Sequence, residues 1–438
     1  MTSALAATDL VSPLGDVTQR DEHVVGTKAA ILGELSRAGL PVPPGFVIRA
    51  PAYRAFAREA SLDARIAVVL AERDLDDRRS FEEATRRVRQ VIESMPLRGG
   101  LADAIVAAYD ALGVRPVAVR ASVAETAAGQ AVAGLFDSFL GVDEPEELLS
   151  AVKRCWSSRF NADHLLLRAP RSERRAPVDL AVLVQAQVPA SRAGVAFTVD
   201  PATGDEDRVV IEAGFGLGVD IVGGTVSADR YVLDKRNLVV LEHTPRSARR
   251  HIERVDGVAA VRGVDASETS LQAMTDSELR RLAALVTSVE EHWPDAHEVE
   301  WACNGDGKLW IIQARALPAA ANSVPPRGKP LLQGLGAARG HATGRVRIAG
   351  AGARALRLEP GDIFVACVTS SETIPPLHDA AAVVTDGGGM SSHAAIAARW
   401  LGIPCVVGTA AATTALSEGQ IVTVDGDHGL ILDSDRTR

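Results

Sequence analysis

The sequence is poor in cysteine. Its four residues, Cys155, Cys303, Cys367 and Cys405, lie far apart and form no C-x-x-C pair. That excludes the usual zinc-ribbon spacing and fits reduced thiols in the cytoplasm. An excess of positive charge is also missing. The formal net charge is −9, which argues against a general nucleic-acid or acidic-membrane binder. The N-terminus, MTSALAATDLVSP, lacks a basic region followed by an apolar run, so no signal peptide is expected. No uninterrupted apolar segment approaches membrane-spanning length. There is no internal repeat. These absences lead to the expectation of a soluble cytoplasmic protein with no nucleic-acid and no membrane partner. What is present is ordinary: 47% apolar and 24% charged residues in 438 positions, enough for two or three domains with sizeable cores.

One stretch organises the rest: TDGGGMSSHAAIAAR, residues 385–399. Residues 380–385 are a short apolar, β-branched run that reads as a buried strand. Three glycines and two serines follow, then a helix-forming run that stops at Gly402 and Pro404. The pattern predicts strand, glycine turn and a helix whose first turn carries His393. A helix N-terminus presents free N–H groups and a positive field. That field disfavours imidazolium, keeping the ring neutral and nucleophilic, and would stabilise a phosphoryl group attached to it. Read alone, such a histidine is more often a turn or capping residue.

Earlier in the chain, Gly26 and Thr27 precede a helical pattern, which places Lys28 in a first turn. There it either serves an anion or is simply solvated. Residues 51–112 read as highly charged helices with solvated faces. Residues 117–120 form a predicted strand that delivers Arg120 to a loop of Ala, Gly and Ser, and 136–142 return from it. Such a loop lets backbone N–H groups approach a phosphate, with Ser138 able to donate a hydroxyl, although Gly-Ala loops also simply turn. Strands are expected at 179–188, 193–200, 208–213, 231–233 and 238–241. A helix is expected at 277–292, with Thr275 as N-cap and Glu278 completing a capping box. Two strands then flank the turn NGDG, a strong hairpin signal. Glu300, Gln313 and Arg315 can share one exposed face of that hairpin. A carboxylate and an amide oxygen can hold Mg²⁺ while an arginine clamps the bridged phosphate. A polar face with an ion pair is the alternative.

The Pro- and Ala-rich stretch around residues 318–333 reads as a linker. Beyond it, strands expected at 339–348, 362–368, 381–385, 405–407, 420–424 and 429–432 make a compact α/β domain.

Taken in order, these segments resemble the phosphoenolpyruvate synthase and pyruvate phosphate dikinase superfamily, which includes rifampin phosphotransferase. GTKAAILGEL with LPVPPGF, VAVRAS, the VAG loop, VQAQV, AGVAFTVDPATG, GFGLG and VEW…IIQAR look like its ATP-binding domain. GDIFVACVT, VVTDGGGMSSHAAIAARWLGIPCVVGT and EGQIVTVDGDHG look like its mobile phosphohistidine domain. The resemblance implies an α/β (α+β) fold: an ATP-grasp domain at 1–317, a linker at 318–333 and a small swivelling domain at 334–438. It implies that Lys28 and Arg120 bind ATP phosphates, with Gly134, Ser138 and Phe139 on the loop over them. Gln185 would hold the adenine, Glu300 and Gln313 would coordinate Mg²⁺, and Arg315 would contact the terminal phosphates. His393 would be the residue phosphorylated, by attack on the β-phosphorus with release of AMP and phosphate.

Two local departures stand out. The loop AETAAGQAVAGL is one residue shorter than the family pattern and has Leu135 where glutamine is usual. The GLGE motif reads GLGV, with Asp220 one place later. No acceptor domain of the family is recognisable. The expectation is therefore an ATP-dependent, dikinase-like phosphotransferase with ATP and Mg²⁺ as cofactors. Its acceptor would be bound by a partner subunit or at the domain interface. A non-catalytic phosphocarrier or regulatory module and an ATP-grasp ligase of a biosynthetic pathway are the alternatives.

Overall fold

The computed structural model describes residues 10–71, 78–123, 136–161, 180–201, 204–216, 218, 228–245, 250–255, 258–263, 272–293, 295–317, 329–349, 358–367, 377–389 and 392–434. The chain divides into two compact units, Met1–Val188 and Pro189–Arg438.

In the first unit, strands β1 (Val11–Pro13), β2 (Gly45–Ile48), β3 (Val117–Val123), β4 (Ser138–Val142) and β5 (Leu180–Ala186) form one sheet in the order β1-β2-β5-β3-β4. All its pairings are antiparallel. Helix α1 (Glu22–Arg37) packs against β3 and β5. Five more helices follow: α2 (Ala50–Glu59), α3 (Leu62–Ala71), α4 (Arg78–Ser94), α5 (Gly99–Leu112) and α6 (Pro145–Ser157). They enclose a core with Val117, Val119, Leu180, Val182 and Val184 of the sheet. At its centre Trp156 is fully buried, stacked on Phe56 with ring centroids 5.1 Å apart and edge-on to Tyr53 at 5.8 Å. The charged segment after residue 51 is helical in its described parts, as the sequence predicts, because apolar positions there recur at helical spacing and charges fall outside; residues 72–77 lie outside the described residues.

Helix α1 is broken at Gly26, whose φ of 77° and ψ of 158° no helix accommodates. The second part of the helix begins there, and Ser122 Oγ of β3 accepts the N–H of Ala29 at 3.1 Å. A Cβ on Gly26 would run into the Ser122 backbone and hydroxyl. Glycine is required on both counts, conformation and space. Ser122→Ala should cost about 1 kcal/mol through the lost cap. Gly26→Ala should cost more, about 2 kcal/mol or above, because strain and overlap add. Urea unfolding of the two variants checks the order; equal or reversed costs would contradict it.

The second unit starts with a six-stranded antiparallel sheet. It contains β6 (Ala190–Phe197), β7 (Arg208–Phe215), β8 (Asp229–Asp234) and β9 (Val240–Thr244). Strands β10 (Arg250–Val255) and β11 (Val258–Gly263) pair only with each other. After helix α7 (Asp276–His292), strands β12 (His297–Asn304) and β13 (Leu309–Ala316) complete the order β13-β12-β6-β7-β8-β9. Thr275 caps α7 and forms the expected capping box with Glu278. Strand β9 starts later than expected because Leu238 takes up a left-handed φ of 56°.

An eight-stranded sheet follows: β14 (Lys329–Gln333), β15 (Leu335–Ala338), β16 (His341–Ala349), β17 (Asp362–Ala366), β18 (Ala380–Thr385), β19 (Cys405–Val407), β20 (Ile421–Asp425) and β21 (Leu430–Asp433). Its order is β14-β21-β20-β16-β17-β18-β19-β15, parallel from β16 through β19. Of the expected linker, residues 318–328 lie outside the described residues, whereas 329–333 form edge strand β14. Pro330 is tolerated at such an edge. The single strand expected at 339–348 starts instead at His341, since Gly340 turns the chain at φ 103°. Helix α8 (His393–Leu401) runs between β18 and β19.

Candidate active site

Strand alternation sorts the expected nucleotide residues of the first unit. Arg120 on β3 is directly opposite Ser138 on β4. Gln185 on β5 pairs with Ala118, two residues before Arg120, so Arg120, Ser138 and Gln185 share one face of the sheet. The other face carries Val117, Val119 and Ala121 into the helical core. Phe139 pairs with Val119 and packs on that core side, with Arg154 stacked 4.1 Å from its ring centroid. Its side chain therefore points away from Arg120. Ser138 is exposed, Arg120 half-buried, and Gln185 buried with Nε2 donating to the Pro43 carbonyl at 2.9 Å. Lys28, half-buried, follows Gly26 in the first turn of the restarted α1. The bond from Ala29 to Ser122 holds that turn against β3, two residues beyond Arg120. Gly134 lies outside the described residues.

In the second unit the expected NGDG hairpin forms. Glu300 faces Gln313 and Glu298 faces Arg315, with a bulge after Glu300. Bulges re-aim side chains and are common beside active sites. One row of cross-strand partners runs Arg230, Glu212, Val195, Glu300 and Gln313 over β8, β7, β6, β12 and β13. A second row on the same face runs Val232, Val210, Phe197, Glu298 and Arg315. Arg315 Nη2 lies 2.6 Å from both carboxylate oxygens of Glu298.

The expectation of an exposed face is corrected here. Glu298 is 1% and Gln313 6% accessible. Val195, Phe197, Val210 and Val232 share a core with Ala394, Ala395, Ala397 and Ala398 of α8. Alternation reports which residues share a face; only packing decides whether that face meets water.

His393 is the first residue of α8, as predicted. Ser392 is its N-cap and accepts the N–H of Ala395 at 3.4 Å, and Gly402 ends the helix in a left-handed conformation. Of the glycine turn, Gly389 matters most. A Cβ there would stand 2.6 Å from Glu212 Oε2, so the backbone rests directly on that carboxyl.

Sequence reasoning missed two charged residues of this packing. Glu212 sits inside an otherwise apolar strand, which is the signal that marks it. Burial pushes its carboxyl up to about 7, with Arg230 opposing and Glu298 adding. Arg399 of α8 donates from Nη1 to the Ala337 carbonyl at 2.9 Å, while its Nη2 is buried without a hydrogen-bond partner. Burial and the Arg315 guanidinium push Arg399 down to about 10, opposed by Glu298. Arg315 thus holds the buried Glu298 carboxylate, and Arg399 feels the charge of both. Such an arrangement favours an added anion, because the second arginine lacks a full complement of acceptors.

Residues 22–326 match the family described as pyruvate phosphate dikinase, AMP/ATP-binding domain, and residues 358–429 match PEP-utilising enzyme, mobile domain. The chain is 36% identical over 433 residues to a probable phosphoenolpyruvate synthase of Archaeoglobus fulgidus, covering 95% of this chain and 57% of that protein. A probable phosphoenolpyruvate synthase of Methanothermobacter thermautotrophicus is 36% identical over 422 residues, with 94% and 61% covered. Phosphoenolpyruvate synthase of Pyrococcus furiosus is 31% identical over 474 residues, with 95% and 58% covered. The chain therefore spans a little over half the length of these relatives. Among the described residues no helix is long and apolar enough to cross a membrane.

Glu212 makes the packing beneath Gly389 sensitive to pH. Its folded value lies above the ordinary 4.5, so its contribution is fully present below that value and is lost as pH rises through about 7. The full effect is at most about 3 kcal/mol. Urea unfolding should show wild-type stability falling between about pH 5 and pH 8, with a flatter profile for Glu212→Gln. Parallel profiles would mean that Glu212 carries no such load.

Proposed function

Because the chain belongs to the pyruvate phosphate dikinase AMP/ATP-binding family and also carries a PEP-utilising mobile domain, we propose that it is an ATP-dependent phosphotransferase that phosphorylates its own His393. Residues 1–317 are then the ATP-binding domain, 318–328 the linker and 329–438 the mobile domain, with β14 as its edge strand. The observation that carries this reading is the position of His393. It begins the helix whose alanine face packs over the sheet bearing Glu298, Glu300, Gln313 and Arg315.

Lys28 and Arg120 bind ATP phosphates. Gly134, Ser138 and Phe139 flank them, Phe139 through its backbone because its ring belongs to the core. Gln185, whose Nε2 is committed to Pro43, contributes its amide oxygen toward the adenine. Glu300 and Gln313 fit Mg²⁺ as directly opposed hard-oxygen donors, the small donor set expected of an ion that keeps waters and phosphates. Bound there, Mg²⁺ would supply positive charge that offsets the phosphates' negative charge. Arg315 is held by Glu298 in a fixed orientation toward the terminal phosphates.

The neutral His393 imidazole attacks the β-phosphorus and forms an N–P bond as the bond to AMP breaks. Water then takes the terminal phosphoryl group as inorganic phosphate, leaving phosphohistidine. Positioning and charge neutralisation supply most of the acceleration in such transfers. The phosphoryl group passes to an acceptor bound by a partner subunit or at the domain interface. The relatives' name, phosphoenolpyruvate synthase, makes the chemistry of a 2-keto acid enol the first acceptor to test.

Incubation with Mg²⁺ and β-labelled ATP should give AMP and acid-labile, alkali-stable labelled protein, absent in His393→Ala. Glu300→Gln and Arg315→Ala should each slow AMP formation by about a hundredfold. Equal labelling of wild type and His393→Ala would refute autophosphorylation. ADP without phosphoprotein would indicate a ligase instead, and label only when a partner is added would indicate a carrier.

A further inference from the structure

The mobile-domain region contains a cluster that the proposed phosphoryl chemistry does not use. His341 opens β16, Asp425 closes β20, and the two are direct cross-strand partners. His428 lies in the turn from β20 to β21. His341 Nε2 is 3.2 Å from Asp425 Oδ1, and His428 Nδ1 is 2.8 Å from Asp425 Oδ2. The three donor atoms all lie within 4.8 Å of one another. Asp427 adds a second carboxylate, its Oδ2 3.7 Å from His341 Nε2.

We propose that His341, Asp425 and His428 form a binding site for a divalent transition metal of the zinc and cobalt class. Two imidazoles and one carboxylate are the ligand types such ions prefer, whereas magnesium and calcium prefer oxygen alone. Ligands bound tetrahedrally at about 2.0–2.1 Å stand roughly 3.3 Å apart. The two imidazole–carboxylate separations already lie near that value, so loading needs only small side-chain movement. Asp425 is fully buried, and its Oδ1 accepts the backbone N–H groups of Asp427 and His428, both at 3.0 Å. These bonds orient the carboxylate as outer-sphere partners of metal sites do. His341 is exposed, which leaves an entry path and an open coordination position for water. The ring proton facing Asp425 moves to the other nitrogen of each neutral imidazole when the ion enters.

The site would clip two distant parts of the chain. Gly340 donates its N–H to Asp427 Oδ1 at 3.3 Å, and Gly426 donates to the Gly340 carbonyl at 2.9 Å. Strand β15, just before this junction, pairs with β19 and accepts Arg399 of α8 at Ala337. An ion here would therefore brace the segment that supports the helix of His393.

The test uses the full chain, stripped with chelator and held in excess Mg²⁺ to occupy oxygen-only sites. Co²⁺ is added as the spectroscopic probe and Zn²⁺ as the stabilising ion. Wild type and His393→Ala should bind one equivalent of Co²⁺ with a visible ligand-field band, and Zn²⁺ should raise their Tm. His341→Asn, which keeps a donor toward Asp425, and His428→Ala should weaken Co²⁺ binding by more than about tenfold and lose the Zn²⁺ shift. Circular dichroism of the metal-free variants checks that they fold. No saturable Co²⁺ binding by wild type would overturn the proposal, leaving the cluster as hydrogen-bonded His–Asp pairs. Retention in both cluster variants, or loss in His393→Ala, would overturn it by placing the ion elsewhere.

Discussion

The second unit depends on covering a charged sheet face with a helix made largely of alanine. Glu212 and Glu298 are removed from water together with Arg315 and much of Arg399. Burial of charge is tolerable only with partners, and here each carboxylate has a guanidinium near it. Glu298 takes Arg315 at hydrogen-bonding distance, while Glu212 feels the field of Arg230 and still shifts toward its neutral form through burial. The same physics serves a reaction that brings anions to this face. Positive groups with unfilled donor capacity favour phosphate where water is excluded.

The small side chains of α8 bear on reversibility. Four alanines against Val195, Phe197, Val210 and Val232 bury far less apolar area than leucines or phenylalanines would, at roughly 25 cal/mol per Å². Under the proposed function this helix delivers a phosphoryl group elsewhere, which a large hydrophobic interface would oppose. Gly389 adds to this, since the close approach of its backbone to Glu212 depends on a missing side chain. Strong electrostatic contact and weak apolar contact make a packing that bound charge can strengthen or release.

Much of the site was legible from local pattern. The strand, glycine turn and helix around His393, the NGDG hairpin with Glu300 and Gln313 on one face, and the Thr275 capping box all follow from periodicity and turn chemistry over a few residues. The helix that starts after Gly26 and carries Lys28 in its first turn was legible as well, although the helical turn before Gly26 was not. Less legible were features whose cause lies far along the chain. Phe139 looked like a loop residue but joins the core because β3 pairs with β4 one register step away. The linker reading of 329–333 gave no hint of β14, whose partner β21 lies at the far end of the chain.

What the sequence by itself determined is which residue types occur in which order: a histidine on a helix start, oxygen-bearing side chains on a hairpin, cations before small-residue turns. These are local properties, set by φ/ψ preference and by the repeat of helix and strand. The tertiary structure decided what each face meets. It buried the hairpin face that alternation left open to solvent, turned Glu212 into a carboxyl titrating near 7, and brought His341 to Asp425 and His428. Burial, charge coupling and long-range pairing depend on three-dimensional proximity, and no short window of sequence contains it.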